Sequence, residues 1–400
     1  MIKVCIVYPT DALGIVPGGT DTCIRDILRC APDDVDMHLV GVTTDAISRP
    51  VGRWTQCKVS GKDYKFFPVM SVNDLKTQMK IPLSLQFTLK LIGKSSVFSN
   101  IDVLQFNRIE PALSLLGLRQ PKVLIIHQNM NVLSNKNSDI RWKYIPSLYF
   151  KIEDFIINRL KEVFIVRENA VVEYRQRFPE KADNIQFLPT WMNPRLFYYL
   201  EETEKSAARE NILNDIGGKP TDKLLIFVGR LDHQKDPLYL IESLAELKTT
   251  RSDWQVVIIG DGVLRASVEK SLQDNNLDAC VHLLGAQSQD DVASMLRASD
   301  LLLLSSAYEG MPRCVVESLG SGVPVVTTKA GEVTLLIDQG KNGYIVEPRD
   351  SALFAEHIHK AMCQLGEFKG EPCLKAVKQY RADVVLENLY GTYRHYSKGV

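Results

Sequence analysis

Short, uninterrupted apolar runs, each ending in a turn and followed by a segment of helical periodicity, recur through this 400-residue chain. Lys3 to Tyr8 is the first; Asp36 to Val42, Ile101 to Gln105, Val123 to Ile126, Val163 to Val166 and Ile185 to Leu188 continue the series. After residue 190 come Lys223 to Val228, Gln255 to Ile259, Val281 to Leu284, Leu301 to Leu304, Val323 to Thr327 and Gly343 to Val346. Strands with no polar face must be covered on both sides, so these runs predict open α/β sheets, mainly parallel, between layers of helix. A chain of this length with 45% apolar residues exceeds one ordinary core and is enough for two. The proline-punctuated Pro189-Thr190-Trp191-Met192-Asn193-Pro194 reads as the linker. The expected domains are therefore 1–190 and 191–375, followed by a tail at 376–400 within a helical stretch predicted from Leu374 to Tyr396.

The formal net charge is zero, yet residues 1–190 carry 25 Lys and Arg against 19 Asp and Glu, while the remainder carries 23 against 29. A basic first half suits an anionic partner, but so modest an excess argues against nucleic acid. Eight cysteines without a Cys-x-x-Cys pair or histidine-rich ligand spacing suggest free thiols in a reducing cytoplasm. Met1 to Pro9 reads as a buried strand, not a signal peptide, and no apolar run approaches membrane-spanning length. Asp33-Asp34-Val35-Asp36 contains an Asp-x-Asp string but sits between a helix and a strand, where a solvated turn is expected and not a metal site.

The chemistry concentrates where Leu301 to Leu304 runs into Ser305-Ser306 and on to Glu309-Gly310-Met311-Pro312-Arg313-Cys314-Val315-Val316-Glu317. With Pro312 expected as the first helical residue, the amides of Met311, Arg313 and Cys314 would form a phosphate-binding helix start. Glu309 and Glu317, as acceptors, could take hydroxyl protons from two ends of one elongated ligand; alternatively they are a helix-start acid and a solvated helix residue. Arg230 and Lys235, five residues apart on the loop after Lys223 to Val228, can reach one diphosphate, or are surface charge. Gly18 and Gly19, after the first strand, can bring backbone amides up to a phosphate, or form an ordinary turn. Their spacing is not the Gly-x-Gly-x-x-Gly of dinucleotide sites. His127 ends a strand, where a neutral imidazole can meet a sugar hydroxyl, although a lone histidine is commonly structural.

The Glu309-x7-Glu317 pattern, with Gly310 after the first acid and Gly320-Ser321-Gly322-Val323-Pro324-Val325-Val326 after the second, resembles the signature of retaining, nucleotide-sugar-dependent glycosyltransferases of family 4. That resemblance implies the GT-B fold: two Rossmann-like domains facing a cleft, the first binding the acceptor and the second the donor, with a last helix crossing back to the first. It assigns Glu309 to donor-sugar hydroxyls and Glu317 to the ribose. Arg230 and Lys235 take the diphosphate, with Gly18-Gly19 approaching it. The Gly310, Met311 and Arg313 helix start joins the donor site, the loop at Gly285 offers backbone groups to the nucleobase, and His127 lies near the reacting carbon. The glycine that commonly follows the lysine in that family is Asp236 here.

The implied activity is transfer of a hexose from a UDP- or GDP-linked donor to a hydroxyl of a glycan or lipid-linked acceptor in bacterial polysaccharide or glycolipid synthesis, with retention and with neither metal nor cofactor. A nucleotide-sugar epimerase or a non-catalytic partner of the same fold is the alternative. Residues 71–96 interleave Lys76, Lys80, Lys90 and Lys94 with leucines, Met79, Ile81, Phe87 and Ile92. They read either as helices packed on the first sheet with lysines outward, or as a peripheral contact with the inner face of the cell membrane.

Overall fold

The computed structural model describes residues 1–14, 19–73, 81–127 and 146–397. The chain divides into two compact units, Met1–Pro189 with Asp383–Val400, and Thr190–Ala382.

The first unit is built on eight strands: β1 (Ile2–Val7), β2 (Val35–Thr43), β3 (Thr55–Val59), β4 (Lys62–Ser71), β5 (Val103–Phe106), β6 (Lys122–Ile126), β7 (Glu162–Ile165) and β8 (Ile185–Phe187). Their order is β3-β4-β2-β1-β5-β6-β7-β8. Every adjacent pair is parallel except the β3–β4 hairpin. The central strands are buried end to end, as their lack of a polar face requires. From β1 the chain moves to β2 on one side and later returns to β5 on the other, so the loops after β1 and β5 diverge at a topological switch point.

The helix Leu83–Leu91 packs inward through Phe87 and Leu91. Its other side stays apolar as well: Ile81 is 53% exposed, Leu85 45%, Leu89 58% and Ile92 65%, beside the exposed Lys90. No helix among the described residues is long and apolar enough to cross a membrane.

The expected continuous helical tail is instead two helices, Glu371–Val377 and Ala382–Ser397, separated by a 3₁₀ turn and the extended Arg381. The break has a cause: Met192 pairs with this segment, its N–H donating to the Tyr380 carbonyl and its carbonyl accepting from Ala382. Backbone groups bound to Met192 cannot also serve a helix ladder. Beyond the break, the last helix lays its tyrosines on the first unit. The Tyr390 hydroxyl donates to the Ile27 carbonyl at 2.8 Å, Tyr393 to Gln105 Oε1, and Tyr396 to Glu162 Oε2 at 2.9 Å. Arg394 forks onto Asp34, so the acidic turn at 33–36 carries ion pairs, Asp33 with Lys62 among them.

The second unit has six parallel strands, β9 (Lys223–Val228), β10 (Trp254–Ile259), β11 (Val281–Gly285), β12 (Leu301–Leu304), β13 (Val325–Thr328) and β14 (Gly343–Val346), in the order β11-β10-β9-β12-β13-β14. Helices cover both faces. Three of them start on side-chain caps, Asp236 accepting from the Tyr239 N–H, Ser288 from the Asp291 N–H and Asp350 from the Leu353 N–H. The switch point here lies between β9 and β12, the strands that carry the Arg230 and Glu309 loops. After β13 comes a short 3₁₀ segment, Gly331–Leu335.

Asp300, fully buried at the head of β12, is the polar anchor of this unit. It accepts from Arg209 Nη1, Lys369 Nζ and the Leu224 N–H, each at 3.0 Å. Burial pushes its carboxyl pKa up, but the surrounding cations more than offset that and hold it below its ordinary value. A depressed folded pKa contributes stability above the unfolded value, which is lost as the pH falls through the folded one. Asp300→Asn leaves buried cations uncompensated and should cost about 3–5 kcal/mol in denaturant unfolding at neutral pH. The difference from wild type should shrink as the pH is lowered through the Asp300 titration.

Candidate functional site

In the second unit, the loops after β9 and β12 are tied together by backbone and hydroxyl contacts. The Ala307 N–H donates to the Gln234 carbonyl at 2.8 Å, and Ser305 Oγ donates to the Lys235 carbonyl at 2.8 Å. Thr328 Oγ1, from β13, donates to the Ser306 carbonyl at 2.6 Å. Two glycines permit the close approaches. Gly331 (φ +65°) runs so near the site loop that an added Cβ would lie 1.9 Å from the Gly310 carbonyl oxygen. Gly260 (φ +143°) passes Gly229 in the same way, at 1.8 Å. No side chain fits at either position.

This frame brings Lys235 Nζ to 2.6 Å from Glu309 Oε1, with side chains only 15% and 7% exposed. Ser306 Oγ donates to the same oxygen at 2.6 Å, and Gln234 Nε2 lies 3.5 Å from Oε2. Burial pulls the ammonium pKa down, but the Glu309 charge and hydrogen bond outweigh it, so Lys235 stays charged with a raised pKa. Arg230 lies at the mouth of the same loop, paired with Asp232 at 2.9 Å and bonded to Gln234 Oε1 at 3.2 Å. Asp232 also accepts from the Lys235 N–H at 3.0 Å, holding the turn. Asp236, where the resembling family commonly has glycine, adopts a left-handed conformation (φ +45°). Its carboxylate caps the following helix and pairs with Arg349 at 2.6 Å, which offsets the strain.

Pro312 is not the first helical residue. It is the extended cap (φ −71°, ψ 115°) before the helix Arg313–Gly320. Glu317 is buried, not solvated, and takes Arg313 Nε at 2.7 Å, so these two residues engage each other one helical turn apart. Cys314 is buried among Lys235, Glu309 and Glu317, and burial raises its thiol to about 11, leaving it neutral. Gly285 ends the edge strand β11, two strands from β9, with its carbonyl accepting from the Gly260 N–H.

In the first unit, His127 follows β6 and lines a cavity of about 60 Å3 with Tyr8, Thr20, Asn107, Arg108, Glu110 and Tyr149 among others. Tyr8, after β1, and Asn107 and Arg108, after β5, place the cavity beside the switch point. Burial pushes the imidazole down to about 4, so it is neutral, and Nε2 lies 3.0 Å from Asn107 Oδ1. Arg108 is held bidentately by Glu110, at 3.0 and 3.2 Å. Sequence reading missed Asn107, Arg108 and Glu110, although Asn107-Arg108 follows the apolar end of β5 just as His127 follows β6. Of the glycine pair, Gly19 is the first residue of the helix Gly19–Arg29, and Gly18 lies outside the described residues.

Residues 208–365 match the family model for glycosyl transferases group 1. An alpha-D-kanosaminyltransferase from Streptomyces kanamyceticus is 28% identical over 255 residues, covering 62% of this chain and 66% of that relative, just under two thirds of its length. Among solved structures, sucrose-phosphate synthase from Thermosynechococcus elongatus superposes with a TM-score of 0.79 at 16% identity, over the whole of each chain. HepE from Anabaena, in complex with UDP and glucose, gives 0.73 at 16% identity over 99% of this chain and all of that one. The glycosyl transferases group 1 match covers residues 208–365, within the second unit, and the superpositions show that the two α/β units with largely parallel sheets follow the GT-B fold.

Proposed function

We propose that this protein transfers a hexose from a UDP- or GDP-linked donor to a hydroxyl of a glycan or lipid-linked acceptor, with retention of configuration, in bacterial polysaccharide or glycolipid synthesis. The observation that carries this reading is the buried Lys235–Glu309 pair at the switch point of the second unit, with Arg230 one loop turn away. Lys235 keeps ammonium protons to spare beyond the one on Glu309, and Arg230 presents a guanidinium that is half exposed. Two cations placed so can accept the charge that develops on a departing diphosphate. Glu309 would hold donor-sugar hydroxyls, Glu317 the ribose, and Gly18-Gly19, Gly310, Met311 and Arg313 the phosphates. The loop at Gly285 would meet the nucleobase, and His127 a sugar hydroxyl near the reacting carbon.

In the proposed reaction the bond from the anomeric carbon to the phosphate oxygen breaks as the acceptor oxygen bonds on the same face. The acceptor's proton passes to the leaving phosphate oxygen. Because fixed cations and backbone dipoles supply the positive potential, the reaction as proposed needs no metal and no cofactor. Neither the epimerase nor the non-catalytic alternative has a specific observation in its favour. The protein would work in the cytoplasm with peripheral contact at the inner membrane face, a reading supported by the exposed Ile81, Leu85, Leu89 and Ile92 beside Lys90.

Glu309→Ala and Lys235→Ala should each lower turnover by about 100-fold or more with circular dichroism unchanged; rates near wild type would remove that residue from the site. Turnover should persist in excess EDTA, and a loss restored by Mg²⁺ would end the metal-free part of the proposal. Replacing Leu89 and Ile92 together by glutamate should weaken cosedimentation with anionic vesicles by at least about tenfold, and unchanged partition would end the membrane assignment.

A further inference from the structure

Behind the His127 cavity, and reaching it through Asn107, runs a chain of buried polar side chains that the roles above do not use. Tyr393 and Gln105 are fully buried and Asn107 nearly so. The Tyr393 hydroxyl contacts Gln105 Oε1, Gln105 Nε2 lies 3.4 Å from Asn107 Oδ1, and His127 Nε2 lies 3.0 Å from the same Oδ1. No other hydrogen bond of the Tyr393 hydroxyl is found among the described residues.

The proton positions follow from counting donors. A phenol buried with one partner must donate to it, since an unspent buried O–H is costly. Gln105 must therefore turn its carbonyl oxygen to Tyr393 and its NH₂ to Asn107. Asn107 in turn must present Oδ1, because a reversed amide would set NH₂ against NH₂. An oxygen that can only accept faces His127 Nε2, so Nε2 carries the ring proton. The neutral state of the buried ring is consistent with a single proton.

We propose that Tyr393, Gln105 and Asn107 form a positioning relay that fixes His127 as the Nε2–H tautomer with Nδ1 bare, making the cavity a receptor for an uncharged hydroxyl. Asn107 Nδ2 is buried without a partner among the described residues, and it lines the same cavity as the imidazole. A ligand hydroxyl can accept from Nδ2 and donate to Nδ1; a carbonyl or an ammonium can do only one of these. Among the described residues that line the cavity, the one cation, Arg108, is paired with Glu110, which leaves the described lining without a charge aimed at a carboxylate or phosphate. The ligand class is thus a sugar or polyol hydroxyl, and the last helix of the chain, through Tyr393, sets the acceptor atom that receives it. The catalytic consequence rests on the glycosyltransferase reading; the tautomer does not.

The test is two-bond ¹H–¹⁵N correlation of the full chain labelled with ¹⁵N-histidine, with His127 identified by its loss in His127→Gln. The expected pattern is a protonated Nε2 and an unprotonated Nδ1 in the wild type, giving way to mixed tautomers in Asn107→Leu and in the milder Tyr393→Phe. Turnover should fall about tenfold in each, the equivalent of one net hydrogen bond. A protonated Nδ1 in the wild type, or an unchanged pattern in folded Tyr393→Phe, overturns the relay. Mixed tautomers with unaltered turnover uphold the relay and remove His127 from the transfer reaction.

Discussion

The ion pair between Lys235 and Glu309 joins the loops after β9 and β12, and the proposed chemistry of the second unit rests on it. A charge pair this far from solvent is costly unless its remaining hydrogen-bonding capacity is met. Here Ser306 and Gln234 meet it from the same two loops. The strand order makes the contact possible. In a sheet ordered β11-β10-β9-β12-β13-β14, consecutive strands run away from the centre in both directions, so the loops after β9 and β12 part company with their own helices and face each other. Glycines at 260 and 331 then let neighbouring backbone close in without side chains.

The first unit applies the same topology to a different end. Its switch point, between β1 and β5, holds a neutral histidine, a neutralised arginine and hydrogen-bonding amides where the second unit holds paired charges. A cavity without net charge favours ligands that are polar and uncharged, whereas Lys235 and Arg230 favour anions. The contrast is one of charge: the second unit's switch point suits anions, and the first unit's cavity suits polar, uncharged groups. The C-terminal helix belongs to this arrangement as well, since Tyr390 and Tyr393 are buried in the first unit and Tyr393 reaches the polar chain that ends at His127.

The helix Leu83–Leu91 packs on the first sheet, as one of the two sequence readings of this stretch expected. Its inner residues pack on the sheet as a structural helix must, while the residues between them leave an apolar surface beside lysine that no described part of the fold covers. Periodicity alone could not separate these outcomes, because the stretch is apolar around most of the helix.

Element type and position were largely legible in the amino-acid sequence, because strands buried on both faces must be continuously apolar and such runs are hard to mistake. Lys223–Val228 and Leu301–Leu304 needed no correction at all, and the Glu309 and Lys235 pattern was visible through spacing and resemblance. Helix starts and breaks were less legible. Pro312 caps rather than begins its helix, and the tail breaks at residues 378–381 because Met192, distant in sequence, captures its backbone. The burial of Glu317 and the cavity around Asn107 were decided only by tertiary structure. Burial and partner choice depend on which strands become neighbours, and local sequence does not encode that order. Composition and spacing determined what kinds of strand and site this chain could make; strand order and burial decided which side chains meet and which protons they keep.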